Sequence, residues 1–260
     1  MEENIVVLDF GSQYTQLIAR RVREAKVFSK VYPFYVPFEQ VMADKPKGII
    51  FSGSPANVYA KNAPIPDKRF FYCGVPILGI CYGMQLLSFK MGGRVHKSKK
   101  REYGLAKLHV AGASPLFSGI PRTLNCWMSH GDKLDRLPSG FERLAYTDNA
   151  PFAAMGNPKL KTYAIQFHAE VVHTEFGAKI LSNFLKKICR CRQDWTPRSF
   201  IKESVRKIRA QVGSDRVVLG LSGGVDSSVA AGLLHKAIGR KLNCIFVDNG
   251  LLRLNEVQRV

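Results

Sequence analysis

Cysteine is scarce in this 260-residue chain: six residues, too few and too scattered for a disulfide scaffold. The closest pair, Cys189-x-Cys191, lacks the C-x-x-C spacing of zinc and redox sites. No apolar run approaches the ~18 residues that a membrane span requires. The opening Met1-Glu2-Glu3-Asn4 is acidic and passes straight into a strand-like run, unlike a secretory signal. Reduced thiols and a cytoplasmic setting are the expectation. Acidic residues are also in short supply, 20 against 39 Lys and Arg, for a net charge of +19. Such an excess raises a nucleic-acid role, but the charge is spread along the chain. The densest stretch, Arg94 to Arg101 with Lys97, Lys99 and Lys100 between, carries no interleaved aromatics to stack bases. A diffusely basic surface that attracts anionic metabolites is the better reading.

What is present is globular: 46% hydrophobic and 23% charged residues, enough to build a core, in a length that suits one large domain or two smaller ones. Asn4–Phe10 is a continuous apolar run ended by Gly11, the pattern of a strand buried on both faces. Tyr14, Leu17, Ile18, Val22 and Ala25 then recur at helical spacing. Strands at 48–52 and 75–80 follow, the second leading into a helix over 85–91. Alternating strands and helices predict a doubly wound, mostly parallel α/β sheet. Short strand-like runs at 105–110, 123–127, 142–147, 152–155 and 162–167 extend it with some antiparallel pairing, and a helix over 174–188 closes the first domain. The basic, aperiodic Cys189–Arg192 marks a linker, dividing the chain into domains 1–190 and 191–260. A second α/β unit then begins with Thr196 as N-cap and Pro197 at the first helical position. It continues through a buried strand (216–221), a helix (229–238) and a strand (242–247), and the chain stops early in this second domain.

Two stretches carry chemistry. Gly79-Ile80-Cys81-Tyr82-Gly83 has the form of a nucleophile elbow between strand and helix, with cysteine as the nucleophile. The glycines suit a turn where a Cβ would meet neighbouring strands, and the helix N-terminus favours thiolate. Free thiol is mostly protonated at neutral pH, so a base is required. His168 in Phe167-His168-Ala169-Glu170 supplies one, and Glu170, two residues on, faces the same side of an extended chain and can orient the imidazole. A lone cysteine or histidine would ordinarily be core. The elbow and the His-x-Glu together favour a Cys81–His168–Glu170 triad, whereas Cys73, Cys126 and Cys244 are expected in cores. His130, in Ser129-His-Gly-Asp-Lys133, is polar-flanked and receives no chemistry. The second stretch, Ser222-Gly223-Gly224-Val225-Asp226-Ser227-Ser228, is a phosphate-cradling loop. Its glycines admit backbone amides, its serines add donors, and a helix N-terminus follows. It lacks the lysine of a P-loop, so γ-phosphate transfer is not its evident chemistry.

Leu78-Gly-Ile-Cys-Tyr-Gly-Met-Gln85 with Gln166-Phe-His-Ala-Glu-Val171 resembles the class I glutamine amidotransferases. Asp9-Phe-Gly-Ser-Gln-Tyr-Thr-Gln-Leu17, Arg101-Glu-Tyr-Gly104 and Trp127-Met-Ser-His-Gly-Asp-Lys133 narrow the resemblance to the GMP synthetase family. The 222–228 loop resembles that of N-type ATP pyrophosphatases, and Asp248-Asn-Gly-Leu-Leu-Arg253 fits the same family. The resemblance implies that Cys81 attacks glutamine and His168 shuttles the proton. Backbone amides at Tyr82 and at Gly53 or Ser54 hold the oxyanion, and Gln85 contacts glutamine. It implies ATP bound at 222–228 with Mg²⁺, no cofactor for glutamine hydrolysis, and ammonia delivered to adenylated xanthosine monophosphate to give GMP. On this reading the chain holds the glutaminase half and the start of the synthetase half. A remaining synthetase half or a dimer partner is then expected, together with association through uncovered strand edges. Two departures stand out: Ser54 replaces the usual second glycine of Ser-Gly-Gly-Pro, straining the turn if it needs positive φ, and Ala169 replaces the proline of His-Pro-Glu. Two alternatives stay open, a cysteine peptidase-like hydrolase of related fold and a catalytically weak regulatory or nucleic-acid-binding module.

Overall fold

The computed structural model describes residues 3–248 and 250. Two compact units divide between Asp194 and Trp195. In the first, β1 (Asn4–Asp9), α1 (Thr15–Glu24), β2 (Phe28–Pro33), α2 (Phe38–Ala43), β3 (Gly48–Phe51), β4 (Ile77–Ile80) and α3 (Tyr82–Lys90) follow one another. After them come β5 (Arg94–Val110), β6 (Thr123–Arg136), β7 (Glu142–Tyr146), β8 (Ala154–Asn157), β9 (Thr162–Ile165) and α4 (Gly177–Asn183), the last running into a π turn at Phe184–Ile188. The strands form a nine-stranded sheet ordered β2-β1-β3-β4-β9-β8-β7-β5-β6. Pairings from β2 through to β9 are parallel, and those from β9 outward to β6 are antiparallel.

The continuous apolar run of β1 has its reason in two cores. Ile5 and Val7 join α1 (Ile18, Val22) and α4 (Ile180, Leu181) on one face. Val6 and Leu8 join α2 (Val41) and α3 (Met84, Leu86) on the other. A strand covered on both sides loses the polar alternation of a half-exposed one, and the sheet is doubly wound as expected. Neither β2 nor α2 was legible: β2 is an edge strand of partly exposed residues, and α2 is six residues long. The antiparallel hairpin is also much longer than the apolar runs at 105–110 and 123–127. β5 begins at Arg94, because the basic stretch is itself strand, paired with the outermost strand β6 through an irregular register between Lys97 and Glu102. Charges are common on such sheet margins, where they blunt edge-to-edge association.

The second unit contains α5 (Pro197–Val212), β10 (Val217–Leu221), α6 (Val225–Ile238) and β11 (Leu242–Phe246). Thr196 caps α5 as expected, within a capping box with Ser199. Two expectations are corrected here. The 216–221 strand is half-exposed rather than buried, with Val218 65% exposed, and Cys244 is exposed rather than in a core. The reason is that β10 and β11 form a two-stranded parallel sheet, too narrow to bury both of its faces. Cys73 is likewise only partly buried, whereas Cys126 is fully enclosed. Of the 248–253 stretch, Asn249 and residues 251–253 lie outside the described residues. No helix among the described residues is long and apolar enough to cross a membrane.

Candidate active site

Cys81 sits between β4 and α3 with φ +54° and ψ −106°, a conformation that L-residues avoid and that costs about 1–3 kcal/mol. Three close approaches hold it there. The Cys81 amide donates to the Ile165 carbonyl of β9 at 2.8 Å. A Cβ at Gly79 would lie 2.7 Å from the Gly83 backbone, and one at Gly83 would overlap the Phe51 carbonyl oxygen of β3. The glycines are therefore required by the packing of α3 against the sheet. The sulfur emerges at the carboxyl end of the parallel strands, beside the first turn of α3, and lies 3.6 Å from the Ser129 carbonyl.

His168 follows β9 and is anchored on both backbone sides: its amide donates to the Trp127 carbonyl at 3.0 Å, and its carbonyl accepts from the Thr174 hydroxyl at 2.6 Å. The ring packs edge-on against Tyr14, centroids 5.0 Å apart. Its Nδ1 lies 2.6 Å from Glu170 Oε1. Glu170 is almost wholly buried, and its Oε2 has no hydrogen-bond partner among the described residues. Burial alone would push the imidazole toward its neutral form. Hydrogen bonds and charge from Cys81 and from Glu170 outweigh it and raise His168 from 6.5 to about 10. The fold thus brings Cys81, His168 and Glu170 into one connected group.

A raised histidine is also a statement about stability. The contribution of His168 is present in full below about pH 6.5 and fades as pH climbs through about 10. Thermal unfolding of the chain and of His168→Gln, compared from pH 6 to 10, is expected to show a stability difference that narrows steadily with rising pH. A gap that widens would reverse the sign and remove the raised imidazole behind it.

The elbow opens into a cavity of about 580 Å³ lined by Cys81, His168, Gln85, Gly53, Ser54 and the Ser129–Asp132 segment, among others. The size suits a small metabolite. The Ser52–Pro55 turn borders the imidazole, since a Cβ on Gly53 would sit 3.5 Å from His168 Cε1. Ser54 is not among the residues with positive φ. The turn does not ask for glycine there, and the Ser54 hydroxyl instead accepts from the Ala56 amide at 3.2 Å. Gln85, on α3, donates from Nε2 to the Asp132 carbonyl (3.0 Å) and to Gln166 Oε1 (3.3 Å). That leaves its Oε1 as the acceptor it can offer the cavity. Ser12, Tyr14, Tyr59, Arg101, Tyr103 and Asp132 also line the space and were not singled out as site residues. For all of these but Tyr59, the 9–17, 101–104 and 127–133 segments that carried the resemblance were the available signal.

In the second unit, Ser222–Gly224 leads into α6, which starts four residues before the expected helix and has no side-chain cap. Gly223 takes φ +75°, Ser222 and Ser227 hydroxyls lie 3.0 Å apart, and the Ser228 hydroxyl donates to the Gly224 carbonyl. Val225 is 78% exposed, so this helix start is open, as an anion site must be.

A nine-stranded α/β sheet with a cysteine elbow and a histidine–glutamate pair at its carboxyl edge is the architecture of the amidotransferase class. The family model for class-I glutamine amidotransferases matches residues 6–188, and the chain belongs to that family. A model for NAD synthase matches residues 197–247. Glutamine-hydrolysing GMP synthases are close curated relatives: that of Caldicellulosiruptor saccharolyticus is 55% identical over 99% of this chain, and that of Aquifex aeolicus 51% over 98%. The chain spans about half the length of these relatives. A solved structure from Thermoplasma acidophilum, that of a candidate GMP synthase subunit, is 30% identical with a TM-score of 0.66, covering 73% of this chain and 95% of its own. A glutamine amidotransferase from Thermotoga maritima shares the fold, with a TM-score of 0.60 over 74% of this chain and all of its own at 16% identity.

Proposed function

We propose that the first unit hydrolyses glutamine through Cys81, His168 and Glu170. The ammonia released serves the ATP-dependent amination of xanthosine monophosphate to GMP. The observation that carries this reading is the connected thiol–imidazole–carboxylate group at the mouth of a metabolite-sized cavity. Cys81 Sγ attacks the carboxamide carbon while His168 holds the thiol proton and returns it to the departing ammonia. Glu170 fixes the ring tautomer and stabilises the imidazolium. The developing oxyanion is received by the first-turn amide of Tyr82 and by an amide of the Gly53–Ser54 turn. Water, activated by the same imidazole, then releases glutamate from the thioester. Gln85 Oε1 accepts from the substrate's ammonium group.

The second unit's role follows the same relatives. The open start of α6 and the hydroxyls of Ser222, Ser227 and Ser228 fit a polyphosphate, and ATP is the substrate they would hold. Mg²⁺ would be carried largely by the phosphates, with Asp226 the carboxylate of the loop, and would neutralise pyrophosphate as it leaves. A remaining synthetase half, on this chain or a partner, supplies the xanthosine monophosphate site. The cytoplasm is the setting that free thiols and these substrates suit.

The test separates an amidotransferase from a peptidase of related fold. The chain is expected to release glutamate from free L-glutamine and to leave internal glutamines and peptide bonds of a short peptide untouched. Peptide cleavage without glutaminase activity would overturn the reading.

A further inference from the structure

A second histidine–carboxylate pair backs the wall of the same cavity, which its histidine, His130, lines. Glu102 of β5 and His130 of β6 are direct cross-strand partners, and both are more than nine-tenths buried. His130 Nε2 lies 3.1 Å from Glu102 Oε2, and its Nδ1 lies 2.9 Å from the Asp132 carbonyl oxygen. A backbone carbonyl only accepts, so Nδ1 carries a proton. The other carboxylate oxygen, Glu102 Oε1, accepts from the Thr147 hydroxyl at 2.9 Å. That hydroxyl in turn accepts from the Ala150 amide, so its one proton is directed at Glu102. Both ring nitrogens of His130 therefore face oxygens, and with Glu102 held as a carboxylate by its hydrogen bonds and the Lys133 charge, a neutral imidazole cannot satisfy both.

We propose that His130 is a buried imidazolium paired with Glu102, and that this ion pair is a positioning device for the glutamine-recognising wall of the cavity. The proposal rests on the glutaminase reading above. The link to the substrate is the Asp132 carbonyl, which accepts from both His130 Nδ1 and Gln85 Nε2. A charge-assisted donor fixes that carbonyl. The carbonyl then fixes which way the Gln85 amide is turned, so that Oε1 and not Nε2 is presented. Gln166 Oε1 repeats the instruction from the other side. The remaining charged and titratable neighbours agree with the ionised pair. Burial pushes the Glu102 carboxyl up, but His130, Thr147 and the Lys133 charge bring it below the ordinary range. Burial, with a smaller push from the Glu102 charge, raises the Cys126 thiol to about 12, leaving it uncharged.

The experiment uses the whole chain and two readouts. In ¹⁵N-histidine-labelled protein, one imidazole other than that of His168 is expected to show both nitrogens protonated between about pH 6 and 8, and to be assigned by its loss in His130→Asn. A His130 found neutral over that range overturns the ion pair, and a spectrum with no doubly protonated imidazole at about pH 8 does so before any variant is made. For positioning, Cys81 is alkylated with a glutamine-shaped diazoketone and with iodoacetamide. Glu102→Gln, and more mildly Thr147→Val, are expected to slow the diazoketone about tenfold or more while leaving iodoacetamide within about twofold. Equal slowing by both reagents, or by neither, overturns the positioning role. Wild-type protein that shows no preference for the glutamine-shaped reagent overturns the glutaminase reading instead, and the imidazole spectrum still decides the ion pair.

Discussion

Cys81→Ala is expected to lose glutamine hydrolysis by a factor of about 10⁴ or more in kcat, with the folded structure unchanged. The expectation has two parts that can be checked separately. Alanine keeps the Cβ, so the positive-φ backbone at position 81 carries the same strain as before and the elbow has no reason to relax. Removing the sulfur leaves His168 with no proton to take and no bond to form to the carboxamide. The oxyanion amides and the binding wall remain, which is why some acceleration over water survives in triad enzymes that have lost their nucleophile. Glutamate release measured beside thermal unfolding is the decisive pair: activity gone, midpoint within about 2–4 °C of wild type, a shift worth roughly 1 kcal/mol in a domain of this size. Activity retained above a hundredth of wild type would remove Cys81 from the mechanism. The other thiols offer no ready substitute, since Cys73, Cys126, Cys189 and Cys191 lie outside the cavity lining and Cys244 belongs to the second unit.

How much of this was legible in the sequence depends on where each feature takes its stability. The parallel half of the sheet was readable because burial on both faces leaves an unbroken apolar run, as in Ile5 to Leu8. The elbow was readable because the close approach of α3 to β3 and β4 demands glycine at 79 and 83, and glycine is conspicuous. Glu170 was readable because two residues of extended chain suffice to bring it back to His168. The Glu102–His130–Thr147 network was not, since its members are 28 and 45 positions apart from Glu102. The β5–β6 register, interrupted between Lys97 and Glu102, sets His130 opposite Glu102, and Thr147 reaches the carboxylate from just beyond the end of β7. The concern over Ser54 shows the converse limit. A substitution away from glycine looked costly in one dimension, yet the backbone there lies in ordinary φ space and the serine hydroxyl caps its own turn.

Gly83→Ala offers the sharpest test of the elbow as a packing device. In a helix, exchanging glycine for alanine ordinarily stabilises by about 1 kcal/mol, and Gly232 in α6, where a Cβ would meet nothing within 4 Å among the described residues, should behave that way. At Gly83 the same methyl would overlap the Phe51 carbonyl oxygen and lie 2.8 Å from Phe51 Cβ. Phe51 is fully buried in β3, one residue before the Ser52–Pro55 turn, so neither partner can yield by rotating a side chain. Relief requires α3 to lift from the sheet, at about 1–3 kcal/mol for an overpacked core. That lift carries Cys81 away from both His168 and the Gly53 amide. A displacement of about 1 Å is enough to cost roughly 10² in rate. Gly83→Ala is therefore expected to be less stable than wild type and at least a hundredfold slower, whereas Gly232→Ala gains stability and keeps full glutaminase activity. Thermal unfolding and glutamate release on the two variants give the comparison. Equal gains in stability from both would mean that the first turn of α3 has room to spare, and that the nucleophile is not held by the fit of this helix against Phe51.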